Sequence, residues 1–171
     1  EDIEIVCIDD CSTDDTAKIL EQYAQKYEQI KVYKNSVNGG LAKTRNLGIE
    51  KATGEFLMFL DGDDTLQPDT ISELTHYAQR YKADIVMFDA FCRFEFQELY
   101  DAALEKYYHR TEAYAYSTGR DTLSRMIMND DLCDSACLMM IKYSWLKEAG
   151  VLFEEGKIYE DCMFVTDCLL K

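Results

Sequence analysis

The sequence is poor in the residues that mark several common kinds of protein. It has 18 basic side chains against 33 acidic ones, a formal net charge of −15. It therefore lacks the clustered Lys and Arg of a phosphate-backbone reader, and nucleic acid is excluded as a partner. No run of 18 apolar residues occurs, so no transmembrane helix is expected. The opening Glu1-Asp2-Ile3-Glu4 has neither the basic flank nor the apolar stretch of a signal peptide. No C-x-x-C pair exists, and the two histidines, His76 and His109, lie far from any cysteine, which excludes a zinc site of ordinary spacing. The seven cysteines (7, 11, 92, 133, 137, 162 and 168) read as thiols of a reduced protein and point to a cytoplasmic address. Repeats, low-complexity tracts and linkers are also missing. What remains is 171 residues, 47% apolar, long enough for a single domain with a proper core.

Two periodicities alternate through the first half. Ile3 to Ile8 is a β-branched run ending in Asp9-Asp10, a strand reaching a loop. Ser12-Thr13-Asp14-Asp15 resembles a capping box with an acidic first turn, and Ala17, Leu20, Tyr23, Ala24 and Tyr27 then recur at helical spacing. A strand over 30–33 and a helix over 41–52 follow. The continuous apolar run over 55–60 predicts a strand buried on both faces, ending in Asp61-Gly62-Asp63-Asp64. Pro68, the only proline, suits the first turn of a helix whose buried face is Ile71, Leu74, Ala78 and Tyr81. Residues 84–91 read as a further strand. The βαβαβαβ order predicts an α/β fold with a mostly parallel sheet and helices on both faces. Ligands of such sheets bind outside the carboxyl ends of the strands, where both acidic clusters fall.

The second half is less regular. Residues 94–117 are dense in tyrosine and charge and show no clean period. A helix is predicted over 118–129 with Leu123, Met126 and Ile127 inward, then a strand over 137–141, a short helix ending at Gly150, and a closing helix over 159–170. Tyr100, Tyr107, Tyr108, Tyr114 and Tyr116 read as packing residues, with stacking on acceptor sugars as the functional alternative.

Asp61-Gly62-Asp63-Asp64 is the sharpest local feature. Carboxylates crowded at one strand end repel by about 4 kcal/mol per pair at 4 Å and an effective dielectric of 20, unless solvent or a cation relieves them. Hard oxygen donors of this kind suit Mg²⁺ or Mn²⁺ shared with a phosphate; a solvated acidic turn is the plain alternative. Asp9-Asp10 shares the same sheet edge. Asn38-Gly39-Gly40, with Lys43 and Arg45 behind it, offers backbone amides and positive charge to a phosphate. Tyr159-Glu160-Asp161 places an acidic pair at the start of an apolar helix, where it also serves as a cap.

The stretch from Phe56 to Leu66, with its D-G-D-D-T-L, resembles the first motif of haloacid-dehalogenase-like phosphohydrolases, although that motif ordinarily sits on a domain's first strand. A second resemblance spans the chain in order. I-V-C-I-D-D-C-S-T-D-D-T, N-G-G-L-A-K-T-R-N through F-L-D-G-D-D, then L-Q-P-D, and M-I-K-Y-S-W-L through I-Y-E-D resemble the family 2 glycosyltransferases of the GT-A fold, over about 1–91 and 136–170.

That resemblance implies an inverting, metal-dependent transferase using a nucleotide-diphosphate sugar, most often a UDP-sugar, and a saccharide or lipid-linked acceptor. Asp10 would bind the base, with Asp9 nearby; Arg45 and Gly40 would lie by the donor. Asp63, supported by Asp61, would carry Mn²⁺ or Mg²⁺. Asp161 would be the general base, and Glu160 would position donor or acceptor. Residues 1–91 form the nucleotide-sugar half and 92–171 the acceptor half of one catalytic domain. Family members begin with a further strand and helix, so the expectation is a domain trimmed at its N-terminus. The expected location is the cytoplasm, with room for peripheral association at the inner membrane face. A non-catalytic nucleotide-sugar-binding domain is the alternative, and it differs at Asp161.

Overall fold

Strands form where β-branched and apolar residues run without interruption. In the computed structural model, which describes residues 3–94, 96, 102–115 and 118–171, β1 (Ile5–Asp9) and β2 (Ile30–Lys34) pair in parallel. Ile5 lies beside Ile30 and Asp9 beside Lys34. Helix α1 (Thr16–Lys26) joins them, and α2 (Gly40–Lys51) packs on β1. A second sheet holds β3 (Phe56–Met58), β4 (Ile85–Met87) and β5 (Met139–Lys142) in the order β3-β5-β4. Both outer strands run antiparallel to β5 and so parallel to each other. The α/β architecture is as expected. The late strand, whose direction the sequence left open, is the central one of its sheet. Met139, Met140 and Ile141 are accordingly all buried, as a central strand requires.

The remaining helices are α3 (Thr70–Tyr81), α4 (Ala102–Tyr107), α5 (Gly119–Met128), α6 (Tyr143–Ala149) and α7 (Glu160–Leu170). The core lies between β5 and the inner faces of α2, α5, α6 and α7. At its centre the Phe153 and Phe164 rings stack at 3.9 Å, and Phe59 meets both edge-on. Burying each such ring contributes about 2–3 kcal/mol.

Several local expectations shift. Helix α1 begins at Thr16 rather than beside Ser12, because Asp9 Oδ1 takes the Ser12 amide and folds that loop first; Asp14 then accepts from the Thr16 amide. Tyr23 of α1 and Tyr27, which follows its last residue, are exposed and stack on one another. Pro68 lies before α3, which starts after Asp69 in a left-handed conformation, φ 67°. Strand β3 is shorter than its apolar run, and Leu60 is exposed. Ile127 faces solvent while Leu123 and Met126 are buried. The segment without a period contains α4. Tyr107 and Tyr114 hydrogen-bond to Asp134 and Asp131 and hold the surrounding chain together. Tyr100 and Tyr116 lie outside the described residues.

Candidate active site

Helix α2 carries two polar centres. At its N-terminus Asp10 fills the amide cradle: Oδ1 accepts from Asn35 Nδ2 at 2.7 Å and Gly39 N at 2.9 Å, and Oδ2 accepts from Gly40 N at 2.8 Å. Burial pushes the Asp10 carboxyl up, but these donors outweigh it and hold it below the ordinary range. The Gly39 and Gly40 amides, expected to face a phosphate, are therefore taken by the protein's own carboxylate. Gly40 has φ 79°, which a side chain would strain. Asn38 adds a bond to the Asp10 carbonyl. The roles of Asn35 and Asn38 come from the three-dimensional pairing alone.

Asp9, expected near the nucleotide, is engaged within the protein. It is buried, accepts from the Ser12 amide, and has Oδ2 at 3.2 Å from Lys34 Nζ. The hydrogen bonds from Ser12, then the Lys34 charge, keep it ionised below the usual range against the cost of burial. Its part is to tie the loop after β1 to the end of β2.

Five residues further along α2, about 7 Å up the helix axis, Arg45 forms the second centre. Its side chain is 8% exposed. Nη2 lies 3.1 Å from Asp61 Oδ1, and Nη1 pairs with Asp161 and lies 3.5 Å from Glu160 Oε1. Asp161 also accepts from the Ala136 amide at 3.2 Å, and the Phe153 ring lies under the guanidinium at 5.4 Å. Four sequence-predicted residues (Arg45, Asp61, Glu160 and Asp161) are thus brought together from three parts of the chain. Burial holds the Asp161 carboxyl above its ordinary range, with the Glu160 and Asp61 charges adding to the rise and Arg45 and the Ala136 amide opposing it.

Cys137 belongs to this centre and was missed. Its thiol lies 3.8 Å from Arg45 Nη2, and burial with the Asp61 charge pushes it up to about 11. Nothing in its spacing distinguishes it from the other cysteines. None of the seven is in a disulfide.

Asp61, Asp63 and Asp64 share one tight turn, closed by the Asp64 amide on the Asp61 carbonyl at 3.1 Å. Burial and then the Asp63 and Asp61 charges hold the Asp64 carboxyl up. Asp63 is exposed. Among the described residues no three ligating side chains are gathered for a metal. The donor set fits in kind a hard cation that takes one or two carboxylates here and completes its shell with phosphate and water.

The model of "Glycosyl transferase family 2" matches residues 1–150. The poly(ribitol-phosphate) beta-glucosyltransferase of Bacillus spizizenii is 39% identical over 88 residues, 51% of this chain and 14% of that protein. The putative teichuronic acid biosynthesis glycosyltransferase TuaG of Bacillus subtilis is 33% identical over 118 residues, 66% of this chain and 43% of its own length. The crystal structure of S. aureus TarS 1-349 in complex with UDP-GlcNAc superposes with a TM-score of 0.75 at 26% identity, covering 98% of this chain and 44% of that one. The chain thus spans less than half the length of these relatives.

Proposed function

The chain belongs to glycosyl transferase family 2, and from that premise we propose that it takes a sugar from a nucleoside-diphosphate donor, a UDP-sugar, and transfers it to a hydroxyl of a saccharide or lipid-linked acceptor. The observation that carries this reading is the Arg45 cluster, which joins the acidic turn after β3 to the acidic start of α7. Related TarS is seen in complex with UDP-GlcNAc, and two relatives are named for poly(ribitol-phosphate) and for teichuronic acid biosynthesis, which favours a polymer acceptor.

Residues 1–91 form the donor side and 92–171 the acceptor side. Asp10 Oδ2, with one amide donor, keeps a lone pair for a base N–H. Asp63, supported by Asp61, would hold Mn²⁺ or Mg²⁺, which offsets the diphosphate charge and stabilises the leaving group. Asp161 takes the acceptor's proton while the acceptor oxygen bonds to the anomeric carbon and the carbon–oxygen bond to the diphosphate breaks. A carboxyl held above its ordinary range by burial is a stronger base than a surface aspartate. One displacement from the opposite face inverts the anomeric centre. Glu160 positions the reactants through Arg45. With a lipid-linked acceptor the work lies on the cytoplasmic membrane face, although no described helix is long and apolar enough to cross a membrane.

Titration calorimetry with UDP tests the donor reading. Binding that requires Mn²⁺, and that EDTA or Asp63→Asn abolishes, is the expected result. Equal binding with and without the metal would overturn the cation assignment, and no binding under either condition would overturn the donor.

A further inference from the structure

Outside the Arg45 cluster, the structure holds a second buried guanidinium that is only half used. The Arg110 amide donates to Asp89 Oδ2 at 3.2 Å, Nη1 donates to the Phe88 carbonyl at 2.9 Å, and the same Nη1 pairs with Asp89 Oδ1. The side chain is 7% exposed. Nε and Nη2 are buried and have no hydrogen-bond partner among the described residues. These two nitrogens form the side-on edge of the guanidinium, with parallel N–H bonds spaced to meet two oxygens of a single oxyanion. Arginine cannot shed its proton to relieve an unmet edge. A buried donor pair of this kind is costly unless something accepts from it.

Arg110 lines a groove of about 1540 Å³ that follows β4, with Tyr77 and Tyr81 of α3 and Arg120 of α5 also in its walls. As many basic as acidic side chains line this groove, in a chain with 18 of one and 33 of the other. It is therefore less hostile to an anion than the surface at large, and Arg110 supplies the geometry that selects one.

We propose that Arg110 is the anchoring residue of a phosphate-binding site in this groove, its Nε–Nη2 edge donating to two oxygens of a phosphate that is either free or a diester within a polymer. Asp89 and the Phe88 carbonyl fix the opposite corner of the guanidinium, so the fork is oriented before the ligand arrives. The site is separate from the proposed donor site and does not depend on the sugar-transfer reading.

Arginine ¹H–¹⁵N spectra of the chain, titrated with inorganic phosphate in EDTA and without nucleotide, test it. The expected result is a saturable shift of the Arg110 Nε–H, identified by through-bond correlation and by its loss in Arg110→Lys. Calorimetry should show phosphate affinity at least tenfold weaker in Arg110→Lys and unchanged in Asp63→Asn, which separates this site from the acidic turn. Short poly(glycerol phosphate) binding more tightly than free phosphate, at equal phosphate concentration, identifies a polymer as the source; equal affinity identifies free phosphate. An Nε–H that does not move, or Arg110→Lys binding as well as the unchanged chain, would overturn the proposal. The spectral shift is read in the unchanged chain, so the test survives a variant that fails to fold.

Discussion

Arg45 on α2 and Asp161 at the start of α7 form an ion pair across 116 positions of sequence, and the same guanidinium reaches Asp61 at 3.1 Å. One cation thus fixes the end of a strand and the start of a helix relative to a third element. Its charge is outnumbered, since Glu160 is also within 3.5 Å. Removing it leaves three neighbouring carboxylates to repel one another in a partly buried site.

Arg45→Met should therefore destabilise the chain by about 3 kcal/mol, the low end for breaking a buried pair because Asp61 retains access to water. Arg45→Lys keeps the charge but not the fork that reaches two carboxylates at once, so it should recover less than half of that loss. Urea unfolding at neutral pH measures both; full recovery by lysine would mean that charge alone matters.

Asp161→Asn separates chemistry from architecture. The amide oxygen still accepts from Ala136 N, and Arg45 keeps Asp61 and Glu160, so stability should change by about 1 kcal/mol or less. Transfer should fall by about 10²–10⁴-fold, as for the loss of a general base, with UDP binding retained. Transfer rates near those of the unchanged protein would remove Asp161 from its assigned role.

Much of this was legible in the sequence because strand ends and acidic clusters are local features. Asp10, Asp61 and Asp161 each stand at the end of an apolar run or the start of an apolar helix, and periodicity locates both. Which of them meet is a different question. The carboxylate of Asp10 taking the Gly39 and Gly40 amides, and Asp9 turning inward to Lys34, are choices between near-equivalent local partners. Only the parallel pairing of β1 with β2, which sets Asp9 beside Lys34, decides between them. Pattern likewise could not show that β5 enters between β3 and β4, since a buried strand reads alike in either direction. Cys137 was illegible for the same reason: its importance lies wholly in the neighbours that folding supplies.

Asp10 and Asp161 should give opposite pH signatures. The folded state holds the Asp10 carboxyl low, so its stabilisation is complete above the ordinary carboxylate range and is lost as pH falls through the lowered value. Asp10→Asn, which turns an acceptor into a group that also faces amide donors, should cost about 2 kcal/mol at neutral pH. That gap should close in acid. The folded state holds Asp161 high, so its ionisation lowers stability as pH rises from the ordinary value to the raised one. Asp161→Asn should remove that decline. Urea midpoints of the three chains from acid to neutral pH check both signs, and parallel curves would refute them.

The position of Asp161 also depends on how closely α7 lies against α5. Gly119 opens α5, and a Cβ added there would sit 2.9 Å from the Leu169 Cα, inside contact distance of the α7 backbone. Backbone cannot yield as a flexible side chain would, so Gly119→Ala must push the two helices apart. The expected cost is about 1–3 kcal/mol in unfolding free energy. The displacement would reach Glu160 and Asp161 along the rigid helix, whereas Asp10 and Asp63 follow β1 and β3, which have no extensive contact with α5 among the described residues. If the base assignment holds, Gly119→Ala should lower kcat more than it weakens metal-dependent UDP binding. A variant that loses both in proportion would indicate general unfolding, and one that loses neither would show that α7 tolerates the shift.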